Sequence, residues 1–391
     1  MKPWRNLLIA VITFVLCWIG LDFYLSQEIK TGYNYAVNDD ASDIRKEQGV
    51  ILQQTSLDKG DILLLGSSEL GSPVDQNASN FFPTKECPYM INAVGRAEVL
   101  SMEHALNVES LDFSQNKKVV CLVSYAWFAK DSVAPDAFYA NFSKNKFYRY
   151  MTDWGISDKE KIQTASRISS LVRSYNNTDD VEAWGYAELC KKFPFAYRVI
   201  ETAAFPLLMF ERAVLSTKDK AASFLYLRGL VPYDMKKPEA TDWEKEYEKA
   251  DAQGKKMVTN NGFYFEDSYQ NDMADILPGL KNADVSLNLQ TSQEFKDYDL
   301  FLKTCCRKHI KPLIIVESVN GWYYDYRGLD REKRLSLYKR LRDMAENYGF
   351  TVYDMSDMEY TPYTYYDQWH LGWRGWLYVD QKITEYFGSN S

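Results

Sequence analysis

The sequence is short of histidine, with only three among its 391 residues, at positions 104, 309 and 370. So few histidines argue against a histidine-rich metal centre. The six cysteines, at positions 17, 87, 121, 190, 305 and 306, show no metal-ligand spacing. We therefore expect no zinc or other metal, and no cofactor.

Positive charge is also in short supply. The 46 basic residues are outnumbered by 54 acidic ones, which gives a formal net charge of -8. This balance argues against a general binder of nucleic acid or anionic membranes and leaves room only for a local basic groove. The sequence also lacks internal repeats and low-complexity tracts. The expected molecule is a globular chain with an ample core and no nucleic-acid partner.

One long apolar run stands at the amino terminus, from Leu7 to Leu25, with Asp22 as its only charge. Roughly 19 helical residues at about 1.5 Å each nearly cross a hydrocarbon core of about 30 Å. Lys2 and Arg5 precede the run, which places the amino end in the cytoplasm and the rest of the chain outside the cell. No small-x-small cleavage site follows, which favours an uncleaved anchor over a signal peptide. We therefore predict a single-pass anchor in the lipid bilayer, over residues 1–26.

Apolar stretches without polar alternation recur before residue 125 and after residue 310, and they are typical of parallel strands covered on both faces. They lie at 61–65, 89–93, 117–123, 311–316 and 350–353. Between them, from about 135 to 300, helical periodicity with charged faces predominates. The pattern predicts an α/β domain over 58–391 that carries a large helical insertion, preceded at 27–57 by a stalk or first surface helix.

The first strand ends in Gly66-Ser67-Ser68-Glu69-Leu70, a glycine turn followed by two hydroxyl residues. Open α/β sheets place their ligands at this end of their strands. Far along the chain, Asp367-Gln368-Trp369-His370 puts a carboxylate three residues before a histidine. A serine nucleophile needs a basic histidine, and a carboxylate can orient that histidine. We interpret Ser68, His370 and Asp367 as one acyl-transfer site.

Each of these residues also has a structural interpretation. Ser68 and Asp367 could be helix caps, and His370 could be a hydrogen-bonded structural residue. An acyl-transfer site also needs donors for the oxyanion, which backbone amides in glycine turns often supply. The amides of Ser68 and Gly95 are the candidates, because both turns end neighbouring strands, although Gly95 could mark only a turn.

The serine turn together with the Asp-x-x-His segment resembles the arrangement of SGNH (GDSL-like) hydrolases. Nearly the whole chain resembles the DltD family, the membrane-anchored proteins of D-alanyl-lipoteichoic acid biosynthesis in Gram-positive bacteria. Besides the anchor and the serine turn, the stretches that carry this resemblance are Asn92-Ala93-Val94-Gly95-Arg96, Thr259-Asn260-Asn261, the segment from Val319 to Tyr326, and His370-Leu371-Gly372-Trp373-Arg374-Gly375-Trp376.

The resemblance implies a three-layer α/β/α fold of SGNH type. It also implies D-alanine transfer onto lipoteichoic acid outside the membrane, in partnership with a membrane-embedded acyltransferase. In this scheme Ser68 is the nucleophile, His370 the base and Asp367 the residue that orients the base. The chain departs from the family at Ala126, where a side-chain amide is expected near the oxyanion. Ser124 or a backbone amide would have to replace that donor.

Two other functions fit the same features. An extracytoplasmic esterase or thioesterase would use the same triad with water as the acceptor. A membrane-tethered scaffold of the D-alanylation machinery would use the aromatic surface and the helical insertion to hold partners, without chemistry at Ser68.

Overall fold

A five-stranded parallel sheet forms the centre of the computed structural model, which describes residues 3–175, 181–260 and 262–388. The strand order is β2-β1-β3-β4-β5, and every neighbouring pair is parallel. The strands are β1 (Ile62–Leu65), β2 (Ile91–Val94), β3 (Val119–Val123), β4 (Leu313–Val316) and β5 (Thr351–Asp354). The predicted parallel α/β sheet is confirmed. Asn261 of the Thr259-Asn260-Asn261 segment lies outside the described residues.

Helices surround this sheet. Before the insertion they are α1 (Pro3–Thr31), α2 (Ile44–Gln48), α3 (Ile51–Asp58), α4 (Ala78–Phe81), α5 (Ser101–Ser110) and α6 (Tyr125–Phe128). Within and across the end of the insertion they are α7 (Pro135–Asn141), α8 (Lys144–Thr152), α9 (Asp158–Tyr175), α10 (Val181–Lys192), α11 (Tyr197–Gly229), α12 (Trp243–Met257), α13 (Asp267–Met273) and α14 (Glu294–Arg307). The last three are α15 (Gly321–Tyr326), α16 (Arg331–Glu346) and α17 (Trp373–Phe387).

Two apolar clusters cover the two faces of the sheet. Because successive side chains of a strand point to opposite faces, Leu63 and Leu65 of β1 enter one cluster while Ile62 and Leu64 enter the other. The first cluster includes buried residues of α5, α14 and α16. The second includes residues of α4, α12 and α17. The result is the three-layer α/β/α arrangement that the family resemblance implies.

The helical insertion separates β3 from β4 in the chain but not in the sheet. Val120 of β3 pairs directly with Leu313 of β4, so the sheet closes as if the insertion were absent. The described part of the insertion (135–175, 181–260 and 262–300) contains helices and turns but no strand. The predicted large helical insertion is therefore confirmed.

Helix α1 projects apolar side chains outward along most of its length. Among the described residues, Trp4–Thr31 is the one helix long and apolar enough to cross a membrane. The predicted anchor boundary at residue 26 falls inside this continuous helix. The segment predicted as a stalk, 27–57, packs against the domain and buries Val37 and Leu52. The domain boundaries at 26 and 57 remain predictions.

Candidate active site

The turn after β1 distinguishes its two serines. Ser67 is buried: its amide donates to Glu69 Oε1 at 2.5 Å, and its hydroxyl donates to the carbonyl of Arg96 at 3.0 Å. Ser68 is exposed and begins a 3-10 turn that runs to Gly71. The sequence predicts that both serines lie in the turn, but in the structure only Ser68 is exposed.

The turns that follow β1 and β2 are packed backbone against backbone. A Cβ placed on Gly95 would lie 2.1 Å from the carbonyl oxygen of Gly66, far inside any tolerated contact. A Cβ on Gly66 would lie 2.7 Å from Glu69 Oε1. The two glycines therefore hold the serine turn against its neighbour, and that approach fixes the position of Ser68.

The loop before α17 brings the other two predicted residues to Ser68. His370 Nε2 lies 2.8 Å from Ser68 Oγ, and His370 Nδ1 lies 2.6 Å from Asp367 Oδ2. Asp367 Oδ1 accepts the backbone amides of Trp369 at 3.0 Å and His370 at 2.9 Å. One carboxylate oxygen thus shapes the loop while the other contacts the imidazole. The structure brings Ser68, His370 and Asp367 into one hydrogen-bonded chain.

The charges around His370 suit a base. Burial by itself lowers the pKa of the imidazole, but the hydrogen bond and charge of Asp367, with the charge of Glu69, raise it above its ordinary value. A proton held on Nδ1 by Asp367 makes Nε2 an acceptor, and both Ser68 Oγ and Trp369 Nε1 lie within hydrogen-bond distance of it, at 2.8 and 3.2 Å. The geometry is that of a hydroxyl, a base and an orienting carboxylate.

Two buried carboxyl groups lie near this chain, at Glu69 and Glu317. Burial raises the pKa of both groups, and the charge of Glu69 raises that of Glu317 further. Sequence reasoning gave neither a role, although Glu69 follows the serines directly. Among the described residues, no group of three His, Cys, Asp or Glu residues could hold a metal ion.

A small pocket of about 100 Å³ opens beside Ser68. Ser124 lines it, and its hydroxyl caps α6 by accepting the amide of Ala126 at 3.4 Å. The Ser68 amide is the first of its 3-10 turn, a position at which an amide has no acceptor within the turn. Of the predicted oxyanion donors, Ser68 and Ser124 border the pocket.

Gly95 stands apart from the other two predicted donors. Its amide donates to the carbonyl of Ala41 at 3.2 Å, and it is not among the residues that line the pocket. The glycine is explained instead by its contact with Gly66. This acceptor in the segment before β1 could not be predicted from the pattern, because Ala41 and Gly95 lie far apart in the chain.

Two tryptophans border the same pocket and were missed from the sequence. Trp369 donates from Nε1 to His370 Nε2 at 3.2 Å, and Trp127 is buried beside Ser124. Because Trp369 lies within the Asp-x-x-His segment, its position near His370 could be predicted from the sequence, but its hydrogen bond to Nε2 could not. An ion pair of Lys130 with Glu98, at 2.6 Å, also lies at the pocket lining.

Known proteins resemble this chain over most of its length. The profile of a family described as DltD protein matches residues 39–388. Protein DltD of Bacillus subtilis (strain 168) is 27% identical over 342 residues, which cover 87% of this chain and 86% of that protein. Protein DltD of Staphylococcus aureus (strain NCTC 8325 / PS 47) is 26% identical over 330 residues, which cover 83% and 80%. Protein DltD of Lacticaseibacillus rhamnosus is 23% identical over 388 residues, which cover 97% and 90%.

Proposed function

This chain belongs to the DltD family, whose members take part in the D-alanylation of teichoic acid, and we propose that it transfers D-alanine through an ester on Ser68. One observation carries the proposal: the hydrogen-bonded chain from Ser68 through His370 to Asp367, with distances of 2.8 and 2.6 Å. Such a chain activates a serine for acyl transfer. A scaffold would have no use for it.

The proposed reaction has two halves. Ser68 Oγ attacks the carbonyl carbon of a D-alanyl ester or thioester while His370 Nε2 takes its proton. The donor alcohol or thiol leaves with that proton, and D-alanine stays as an ester on Ser68. A glycerol or ribitol hydroxyl of lipoteichoic acid then attacks this ester, again giving its proton to His370, and the proton returns to Ser68 as it leaves. Asp367 stabilises the imidazolium in both halves.

The pocket beside Ser68 suits the acyl group of this reaction. Its volume of about 100 Å³ matches a small acyl group better than a polymer segment. The Ser68 amide and the Ser124 hydroxyl border it and are the proposed oxyanion donors, in place of the amide side chain that Ala126 lacks. The polymer would approach from the exposed side of Ser68.

We also propose where the reaction takes place. The one apolar amino-terminal helix is consistent with a single-pass membrane anchor. The basic residues before it favour a cytoplasmic amino end and a catalytic domain outside the cell, where lipoteichoic acid and a membrane-embedded acyltransferase would meet it. A reporter fused after residue 391 should be active only outside the cytoplasm, and activity inside would contradict this placement.

The intermediate can be tested directly. Full-length protein from D-alanylating cells, digested under mildly acidic conditions that preserve esters, should carry one alanyl group on the peptide that contains Ser68. The Ser68→Ala protein should carry none. Alanyl mass on any other residue would contradict the assignment. Release of free D-alanine without lipoteichoic acid would favour the esterase function instead.

The pH dependence of transfer should follow His370. The base must be neutral, and its pKa is raised, so the rate should fall as the pH drops through a value above the ordinary histidine pKa of about 6.5. The Glu69→Gln substitution removes a charge that raises the pKa of His370, so the fall in transfer rate should occur at lower pH. Transfer rates measured between about pH 5 and 9 would show both effects. A wild-type midpoint below about 6.5 would contradict this account of His370.

A further inference from the structure

Helix α11 of the insertion runs beside the apolar helix α1 and in the same direction. Trp18 donates from Nε1 to Thr217 Oγ1 at 2.8 Å, and four residues later Asp22 pairs with Lys220 at 2.6 Å. The contacting residues thus follow the same order along both helices, which makes the two helices parallel. The ring of Phe210 also meets the edge of the Trp18 ring, at 5.9 Å between centroids.

This contact fixes how α11 would meet a membrane. Asp22 precedes the predicted outer end of the span by four residues, about 6 Å along a helix. A bilayer around α1 would therefore bring Lys220 to the headgroup level. The roughly ten residues of α11 before Lys220 span about 15 Å, the depth of one leaflet, and Phe210 exposes its apolar side chain there.

A groove of about 780 Å³ lies between α11, α3 and the end of α8, and Lys220 is part of its lining. Two arginines line it as well. Arg149 donates from Nε to Asn145 Oδ1 at 3.2 Å, and Arg212 donates from Nη1 to Thr152 Oγ1 at 3.1 Å. Within the described part of the chain, neither guanidinium has a carboxylate at ion-pair distance. Both arginines thus keep donors for a further anion.

The carboxylates of the same groove are already engaged. Asp219 accepts the amides of Val50 and Ile51 at 2.7 and 3.1 Å, at the start of α3. The others bind partners of their own: Glu109 with Arg307, Asp153 with the amide of Gly155, Asp58 with Gln54, and Asp112 with Ser114. Burial lowers the pKa of Arg149 to about 10, and the charge of Arg212 acts in the same direction. The charge of Asp219 acts in the opposite direction, and a bound anion would stabilise the two guanidinium groups further.

The wall of the groove on the α11 side is apolar. Phe205 and Met209 line it, and the ring of Phe205 packs against Trp154 at 5.2 Å between centroids. Trp154 is itself 71% exposed. Paired guanidinium groups suit a phosphate, and an adjoining apolar wall suits a hydrocarbon.

We propose that this groove binds an anionic membrane lipid, with its phosphate between Arg149 and Arg212 and its apolar part along Phe205 and Met209. Such a lipid would hold the domain against the outer leaflet at a second point besides α1. This site is separate from the chemistry at Ser68 and stands whether or not Ser68 carries D-alanine.

Native mass spectrometry of the full-length protein in detergent, with equal amounts of phosphatidylglycerol and phosphatidylcholine, tests the proposal. The wild type should retain phosphatidylglycerol at least about 10-fold more than phosphatidylcholine, because the choline cation of phosphatidylcholine offsets the charge of its phosphate beside the two arginines. The Arg149→Gln/Arg212→Gln protein should lose that preference. A control, Lys245→Gln/Lys249→Gln, removes two charges from the exposed face of α12 and should keep it.

A second variant tests the site in case the double arginine variant does not fold. Met209→Asp places a negative charge on a partly exposed part of the wall and should also abolish the preference, with an unchanged melting temperature. Equal retention of both lipids by the wild type would overturn the proposal, as would full retention of phosphatidylglycerol by Met209→Asp. Displacement of the lipid by excess soluble glycerol 1-phosphate would overturn the assignment to a lipid, since the phosphate alone would then suffice.

Discussion

Replacing Asp367 with asparagine should lower D-alanyl transfer by about 10⁴-fold, the loss that this exchange causes in serine proteases. The reason is that the two oxygens of the Asp367 carboxylate make different contacts. In Asp367→Asn, Oδ1 can still accept the amides of Trp369 and His370, so the loop should keep its shape. The amide nitrogen, however, would then face His370 Nδ1 and donate to it. The imidazole proton would move to Nε2, which could no longer accept the proton of Ser68.

The measurement is the rate of D-alanine incorporation into lipoteichoic acid by membranes that contain each variant in equal amount. Asp357→Asn, an exposed carboxyl of the same loop, is the matched control and should leave the rate unchanged. An Asp367→Asn protein with nearly wild-type rate would mean that Asp367 only caps the loop. The melting temperatures of the two variants should agree, because the loop amides keep their acceptor.

The second large effect is expected from Gly95→Ala. Its Cβ would lie 2.1 Å from the Gly66 carbonyl oxygen, which is backbone and cannot rotate away. The β1 and β2 turns would have to separate, at a cost of about 1–3 kcal/mol in the free energy of unfolding. Ser68 would move with its turn, and a displacement of about 1 Å can lower a rate about 100-fold. We therefore expect losses in both stability and transfer.

Gly71→Ala is the control for this prediction. Gly71 ends the same 3-10 turn, but a Cβ there would meet no atom within 4 Å. The free energy of unfolding, measured with denaturant on each purified variant, and the transfer rate in membranes should both be lower for Gly95→Ala than for Gly71→Ala. If Gly95→Ala behaved like Gly71→Ala, the packing of the two turns would not position Ser68.

The sheet and the proximity of Ser68, His370 and Asp367 were predictable because each depends on a local pattern. Uninterrupted aliphatic residues predict strands such as β1, since a strand covered on both faces has no polar side to display. Ser68 follows such a strand, and the three-residue spacing of Asp367 and His370 lets both side chains converge. Ser68 and His370 lie far apart in the chain, but parallel sheets bind their ligands at the carboxyl ends of their strands, and this general rule predicts that the two residues meet there.

The roles of Gly95 and Arg149 could not be predicted in the same way. The amide of Gly95 binds the carbonyl of Ala41, and Arg149 of α8 lines the same groove as Arg212 of α11. Both contacts arise from how separate elements pack, whereas a pattern in the sequence indicates only which face of an element is apolar. Which element covers that face depends on the shapes of both surfaces, and no periodicity records them.

The most direct test of the central claim is the D-alanine ester content of lipoteichoic acid in cells that carry Ser68→Ala as their only copy. The neighbouring Ser67→Ala is the matched control, because the Ser67 side chain is buried and its hydroxyl donates to the Arg96 carbonyl. With both proteins equally abundant in the membrane, esters should vanish with Ser68→Ala and persist with Ser67→Ala. Esters that persist with Ser68→Ala would contradict the serine chemistry and leave a protein that holds other components together.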